Sequence, residues 1–175
     1  MILRWLEDLI VRYGDTFSSD SRALTDGERG HAREVFADAL DLEPVRIARS
    51  SIPGPPMVLG NLILIPPGFE IDGITLIHEL AHAWQYQTRS TEYISNSVWH
   101  QAIAAISTGS RAAAYEVSWA DLATPSILDL PAEKQAVIIE RWFAFGHLRK
   151  HPDFQRHIAE VRARCYMPST GRGIL

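Results

Sequence analysis

Apolar residues recur at helical spacing in several stretches of this chain and at strand spacing in two others. Thr25 and Glu28 have the spacing of a capping box and open a helix that Pro44 is expected to stop. Residues 45–48 alternate as in a half-buried strand, and 62–65 form a short apolar run between glycine and proline. The flanking prolines favour an edge position for 62–65, which would suit an extended peptide pairing with it; an ordinary core strand stays open.

Helical periodicity dominates the remainder of the chain. It predicts helices over residues 72–88, 97–106, 132–150 and 152–165, while 109–121 fits either an extended or a helical conformation. Within 72–88, one face is apolar and is expected to lie in the core through Ile74, Ile77, Ala81 and Trp84. The pattern therefore predicts an α+β protein, rich in helix, with a small sheet preceding the helix that begins at residue 72.

Length and composition suit one compact domain. The chain has 175 residues, 46% of them hydrophobic, which is enough for a sizeable core. We place that domain at 23–165, after an N-terminal helix and polar linker (1–22) and before a loose tail (166–175). The single cysteine, Cys165, excludes an internal disulfide and a cysteine-rich zinc finger.

Charge and hydropathy exclude several classes of partner. A formal net charge of −4 provides neither a basic surface for nucleic acid nor a polybasic stripe for anionic lipid. Glu7 and Asp8 interrupt what would be the apolar core of a signal peptide, and no run is long enough to span a membrane. We expect a cytoplasmic protein, with export by a signal-peptide-independent secretion system left open.

Residues 78–82 carry the clearest chemistry. His78-Glu79-Leu80-Ala81-His82 fits H-E-x-x-H on a helix, where two histidines four residues apart leave the same face and reach one tetrahedral Zn²⁺. Glu79 then lies beside the metal, placed to act as general base toward a water molecule. The competing interpretation is a helix whose histidines only line a core.

A catalytic zinc needs a third protein ligand and one open position. The longer histidine pattern of zinc proteases fails here, because Gln85 and Thr88 occupy its glycine and third-histidine positions. Glu133, at the start of the helix predicted over 132–150, is the leading candidate, although a first-turn acid is also typical of helix N-termini. Glu140, one turn beyond Ala136, is expected to hydrogen-bond a ligand histidine. The reserve ligands are Glu116, Glu140, Asp121 and His100.

A hydrolase also needs a donor for the oxyanion of its transition state. Tyr115 is the first candidate because it lies between the two ligand helices in the sequence, with Tyr86, Tyr93 and His100 as alternatives. The competing account of Tyr115, an aromatic residue that only packs, is the favoured one.

The stretch Leu76-Ile77-His78-Glu79-Leu80-Ala81-His82-Ala83-Trp84-Gln85 resembles the zincin metallopeptidases, in particular the small bacterial Vgr-related proteins and the H-E-x-x-H domain of contractile injection systems. The resemblance extends from Leu24 to about Phe145. It implies a zincin-like fold, Zn²⁺ on His78 and His82, and Glu79 as general base. In the gluzincin branch the third ligand is a glutamate on a later helix, which corresponds to Glu133, and the family points to type VI secretion.

Three functions fit these observations. The first is a zinc-dependent peptidase acting on a peptide or protein. The second is a non-catalytic interaction module of a secretion apparatus on the same fold. The third is metal-dependent hydrolysis of a non-peptide amide, such as a cell-wall bond, which uses the same water chemistry.

Overall fold

The computed structural model describes residues 21–51, 53–93 and 116–164. One helix is followed by three consecutive strands and then by four helices, and two single 3₁₀ turns, Ile127–Asp129 and Leu148–Lys150, lie between the later helices. In chain order the elements are α1 (Asp26–Phe36), β1 (Arg46–Arg49), β2 (Met57–Leu59), β3 (Leu62–Ile65), α2 (Gly73–Tyr93), α3 (Trp119–Leu122), α4 (Ala132–Ala144) and α5 (Pro152–Ala163). This confirms the predicted α+β class with a small sheet ahead of the histidine-bearing helix.

The three strands form one sheet in the order β1-β3-β2. Strand β1 runs parallel to β3, with Arg46 opposite Leu62, whereas β2 runs antiparallel to it. The edge position considered for 62–65 is therefore wrong and the alternative, an ordinary core strand, is confirmed, because β3 is the central strand. The prolines lie outside the strand, and β2 is too short, between Pro56 and Gly60, for its pattern to be recognised.

A tight turn at Gly60 and Asn61 joins β2 to β3, since Leu59 pairs with Leu62. Gly60 has a φ of 64°, which favours glycine in a hairpin turn. A Cβ there would also lie 3.3 Å from the ring of Tyr86 on α2. The turn therefore needs glycine both for its backbone and for its close approach to α2.

Several predicted helix ends differ from the observed ones. Helix α1 has the predicted capping box but ends at Phe36, well before Pro44, because Ala37 takes a positive φ of 50°. Helix α2 continues beyond residue 88 to Tyr93. Helix α4 ends at Ala144 rather than at residue 150, since Phe145 turns extended just before Gly146.

Helix α2 lies at the centre of the fold. It packs along α4 and also contacts α1 and β2. Ile77, Ala81 and Trp84 are fully buried, as predicted, whereas Ile74 in the first turn is 40% exposed. The histidine-bearing helix is thus held firmly by the core on one side while its neighbouring stripe faces α4.

The remaining predictions concern the ends of the chain and one internal segment. The helix expected over 97–106 lies outside the described residues, as do residues 1–20 and the tail from 165 onward. Arg22, the last residue of the predicted linker, pairs with Ile47 of β1 and so joins the sheet. Within the described residues, no helix combines the length and the apolar character that crossing a bilayer demands.

Candidate metal centre

The two histidines project from the middle of α2. The helix is opened by Asp72, whose side chain accepts a hydrogen bond from the backbone N–H of Thr75 at 2.7 Å. One turn apart, the rings of His78 and His82 have centroids separated by 5.1 Å and planes at 74°. Both side chains are nearly buried, so the pair is fixed by packing on the interface with α4.

Helix α4 brings Glu133 to the same point. Its Oε2 lies 3.4 Å from Nε2 of His78 and 3.5 Å from Nε2 of His82. The ligand atoms of these three residues all fall within 4.8 Å of one another, which makes them a candidate metal-binding triad. The three predicted ligands are therefore brought together from two helices, with Glu133 lying 51 residues after His82 in the sequence.

The donor set and its spacing fit a tetrahedral cation. Ligands at about 2.0–2.1 Å from zinc stand about 3.3–3.4 Å apart in a tetrahedron, close to both distances from Glu133. These separations exceed an ordinary hydrogen bond, and Oε2 of Glu133 is buried with no hydrogen-bond partner. A buried carboxylate oxygen of this kind is costly unless something else, such as a cation, satisfies it.

The other ring nitrogen of each histidine is held by a partner outside the triad. Nδ1 of His78 lies 2.8 Å from Oε2 of Glu140, and Nδ1 of His82 lies 2.9 Å from Oε1 of Gln85. Such partners orient ligand histidines and direct the free nitrogen toward the metal. Glu140 lies where the sequence led us to expect it.

Sequence reasoning missed the hydrogen-bonding role of Gln85, which it treated as a departure from the longer histidine pattern and as part of the resembling stretch. A usable signal was its spacing, since a residue three positions after His82 on a helix is a neighbour of that ring. Gln85 is almost fully buried, which is unusual for this residue type without a hydrogen-bonding role.

In the metal-free protein, the charged groups of the site shift one another's pKa values. Burial would lower the pKa of His78, but Glu133 and Glu140 outweigh it and raise that pKa to about 10. Burial would also lower the pKa of His82, but Glu133 outweighs this effect and raises that pKa. Burial would raise the pKa of Glu133, yet the two imidazoles hold it well below its usual range. The site thus stabilises an ionised carboxylate between two basic rings.

Glu79 occupies a different environment from Glu133. Its side chain is buried, and this burial raises its pKa, partly opposed by the nearby His82 and His78. A carboxylate with a raised pKa is a better proton acceptor than an ordinary one. The pKa values of the two glutamates are therefore shifted in opposite directions. The lowered pKa of Glu133 suits a metal ligand, and the raised pKa of Glu79 suits a base.

The other candidates take different positions. Asp121 caps α3 through Ser118 and pairs with Lys134 at 2.8 Å, so neither Asp121 nor Lys134 belongs to the triad. Glu116 is exposed, and Tyr86 lies against Gly60. Tyr115 and His100 lie outside the described residues, as does the side chain of Tyr93, so the oxyanion donor stays a prediction.

Comparison with known proteins gives one structural relative to report. No protein-family model matches the sequence, and no curated protein matches it. Among solved structures, the effector domain of Pseudomonas aeruginosa VgrG2b superposes with a TM-score of 0.57 at 23% identity, over 80% of this chain and 83% of that domain. At this level of identity the likeness is one of fold, and it extends over most of both chains.

Proposed function

We propose that this chain is a zinc-dependent metallopeptidase with a gluzincin-like site, in which His78, His82 and Glu133 hold the metal. The observation that carries the proposal is Oε2 of Glu133, buried without a hydrogen-bond partner and facing Nε2 of both histidines. Two imidazole nitrogens and one carboxylate oxygen form a donor set typical of catalytic zinc.

The chemistry divides between the metal and one residue of the chain. Bound Zn²⁺ would supply a Lewis acid that lowers the pKa of water toward ~7 and polarises an amide carbonyl. Glu79 takes the proton of the attacking water and transfers it to the leaving amine. Its burial favours the first of these two transfers, because the raised pKa makes the Glu79 carboxylate a stronger base.

The protein is further proposed to be an effector or accessory protein of a type VI secretion system, exported by that system and acting on a peptide or protein. The fold likeness to a VgrG2b effector domain supports this role. It does so by analogy of fold, so the proposal about the site stands independently of it.

The test combines metal analysis with one substitution. Protein purified without chelator is expected to carry about one zinc per chain and to cleave a denatured protein or a peptide library. Glu79→Gln is expected to keep its zinc and to lose about 10²–10⁴-fold in rate, as loss of a general base typically does. Glu116→Gln, which removes the same charge from an exposed position, is the matched control and should keep full activity.

Equal cleavage by the wild type and Glu79→Gln would refute the peptidase proposal. Zinc binding without cleavage, together with unchanged partner binding by Glu79→Gln, would favour the non-catalytic interaction module instead. Release of small fragments from purified cell wall, but not from peptides, would assign the same site to a non-peptide amide.

A further inference from the structure

A buried chain of two glutamines connects His82 to the segment that carries Glu133. We infer that Gln85 and Gln135 are positioning residues whose hydrogen bonds fix the ring of His82 with Nδ1 as a donor and Nε2 directed at Glu133. The metal-binding consequence rests on the proposed function, whereas the hydrogen-bond chain itself is a property of the protein alone.

The chain is continuous from the histidine to the backbone of α4. Oε1 of Gln85 lies 2.9 Å from Nδ1 of His82, and Nε2 of Gln85 donates to the carbonyl of Ala132 at 2.9 Å and to Oε1 of Gln135 at 3.1 Å. Nε2 of Gln135 donates to the carbonyl of Leu130 at 2.7 Å. Gln85 is 1% exposed and Gln135 is fully buried, so water does not compete for these bonds.

Two backbone carbonyls give the chain its direction. A carbonyl only accepts, so the NH₂ group of Gln135 must face Leu130 and that of Gln85 must face Ala132. This leaves Oε1 of Gln85, which also only accepts, opposite Nδ1 of His82. Nδ1 must therefore carry a hydrogen whether the ring is neutral or cationic, and the lone pair of the neutral ring resides on Nε2.

The two carbonyls that anchor the hydrogen-bond chain lie close to the third ligand in the sequence. Leu130 and Ala132 lie just before Glu133, and Gln135 follows it by two residues. The same bonds that orient His82 thus join α2 to the first turn of α4. This arrangement therefore fixes the position of Glu133 relative to His82, in addition to the orientation of the His82 ring.

The other histidine is held differently. Nδ1 of His78 faces the carboxylate of Glu140, whose side chain is 31% exposed. That partner is charged and reached by solvent, whereas Gln85 is neutral and enclosed. We therefore expect substitution of the two buried glutamines to weaken metal binding, although neither glutamine carries a charge.

The experiment uses three substitutions of buried glutamine by methionine, which has a similar size and no hydrogen bonds of this strength. Gln85→Met removes the bond to His82, and Gln135→Met breaks the chain one step away from it. Gln87→Met is the matched control, because Gln87 is a nearly buried glutamine on the same helix that bonds to Asp41 and Asn61 instead.

Two measurements are made on each protein. Zinc affinity is measured by competition with a chelator, and exchange of the His82 Nδ1 hydrogen is followed by NMR on ¹⁵N-histidine-labelled protein, both metal-free and zinc-loaded. We expect a slowly exchanging Nδ1 hydrogen in the wild type. Gln85→Met should lose about 10–100-fold in zinc affinity and exchange this hydrogen much faster, with Gln135→Met affected less and Gln87→Met unchanged in both.

The outcomes separate this inference from the proposed function. A wild-type His82 whose Nδ1 carries no hydrogen overturns the inference, even if no variant folds. Equal losses of zinc affinity in Gln85→Met, Gln135→Met and Gln87→Met overturn it as well. A protected Nδ1 hydrogen in a protein that fails to bind zinc supports the hydrogen-bond chain and refutes the metallopeptidase.

Discussion

Helix α4 takes part in two clusters of opposite character. Toward α2, Glu133 meets the two histidines of the candidate metal site. Toward α1 and α5, Trp142 lies against two arginines, with the Cζ atoms of Arg149 and Arg162 each 5.2 Å from the indole ring. We call these the metal cluster and the tryptophan cluster.

The difference lies in how each cluster satisfies its charged groups. In the tryptophan cluster, Arg162 donates to the carbonyls of Glu34 and Val35 near the end of α1, and Arg149 pairs with Glu34. Cations at a helix C-terminus are favourable, so this cluster stabilises the fold. Nε of Arg149 and Nε1 of Trp142 have no hydrogen-bond partner among the described residues, but both arginines make other hydrogen bonds. In the metal cluster, Oε2 of Glu133 has no hydrogen bond and faces two imidazole nitrogens at 3.4 and 3.5 Å. We infer that function is concentrated on one side of α4 and stability on the other.

The largest expected effect is on metal binding by Glu133→Ala. Removal of this proposed zinc ligand should lower zinc affinity on the order of 10³-fold, beyond the 10–100-fold that loss of an outer partner typically costs. Competition with a chelator measures the loss. Glu140→Ala is the matched control, because Glu140 is an acid of the same helix that contacts Nδ1 of His78 rather than Nε2. Its loss of zinc affinity should stay within about 10–100-fold.

Full zinc affinity in Glu133→Ala would show that another group completes the site, while the contribution of His78 and His82 would stand. A loss as large in Glu140→Ala as in Glu133→Ala would mean that the ligand and the orienting acid are not distinct.

Sequence pattern predicted the triad because its members obey local rules. The two histidines are fixed by helical spacing, and Glu133 follows from its place in the first turn of a strong helix. Gln85 could not be recognised in this way, since its importance depends on carbonyls of Leu130 and Ala132 that only tertiary packing brings near. The α+β class was likewise predictable from periodicity.

The errors have a common physical cause. Strand β2 has three residues and little pattern of its own, and its pairing places β3 at the centre of the sheet. Helix α1 ends at Phe36 because of a backbone conformation at Ala37 that the residue type does not favour. In both places the deciding feature, a long-range strand pairing or an unusual backbone conformation, leaves no local pattern in the sequence.

The second prediction concerns the tryptophan cluster. Trp142→Ala should lower the free energy of unfolding by about 3 kcal/mol, since it removes a large, nearly buried ring together with its two arginine contacts. Zinc affinity of the folded protein should change by less than about threefold, a shift of at most about 0.7 kcal/mol. Urea denaturation and chelator competition measure the two quantities.

Trp119→Ala provides the reference, because Trp119 is 71% exposed and its loss should cost no more than about 0.5 kcal/mol. If Trp142→Ala were no more destabilised than this control, the tryptophan cluster would not support the fold. If zinc affinity fell together with stability, the two sides of α4 would be coupled rather than separate.

The smallest expected effect lies at the start of α1, in contact with neither cluster. Glu28 completes the capping box with Thr25 and pairs with Arg22 at 2.7 Å. The hydrogen bond from Arg22 is the main cause that lowers the pKa of Glu28 to about 2. Because the folded pKa lies below the unfolded value, the stabilisation is complete above about pH 4.5 and is lost as pH falls toward 2.

Glu28→Gln should therefore lower the free energy of unfolding by about 1 kcal/mol at pH 7, the usual size for a helix cap and a partly exposed ion pair. The difference from the wild type should shrink steadily below pH 4.5, as urea titrations at several pH values would show. A constant difference down to pH 2.5 would mean that Glu28 acts through its shape rather than its charge. Unchanged zinc affinity in this variant at pH 7 would place α1 outside the metal cluster, as the geometry predicts.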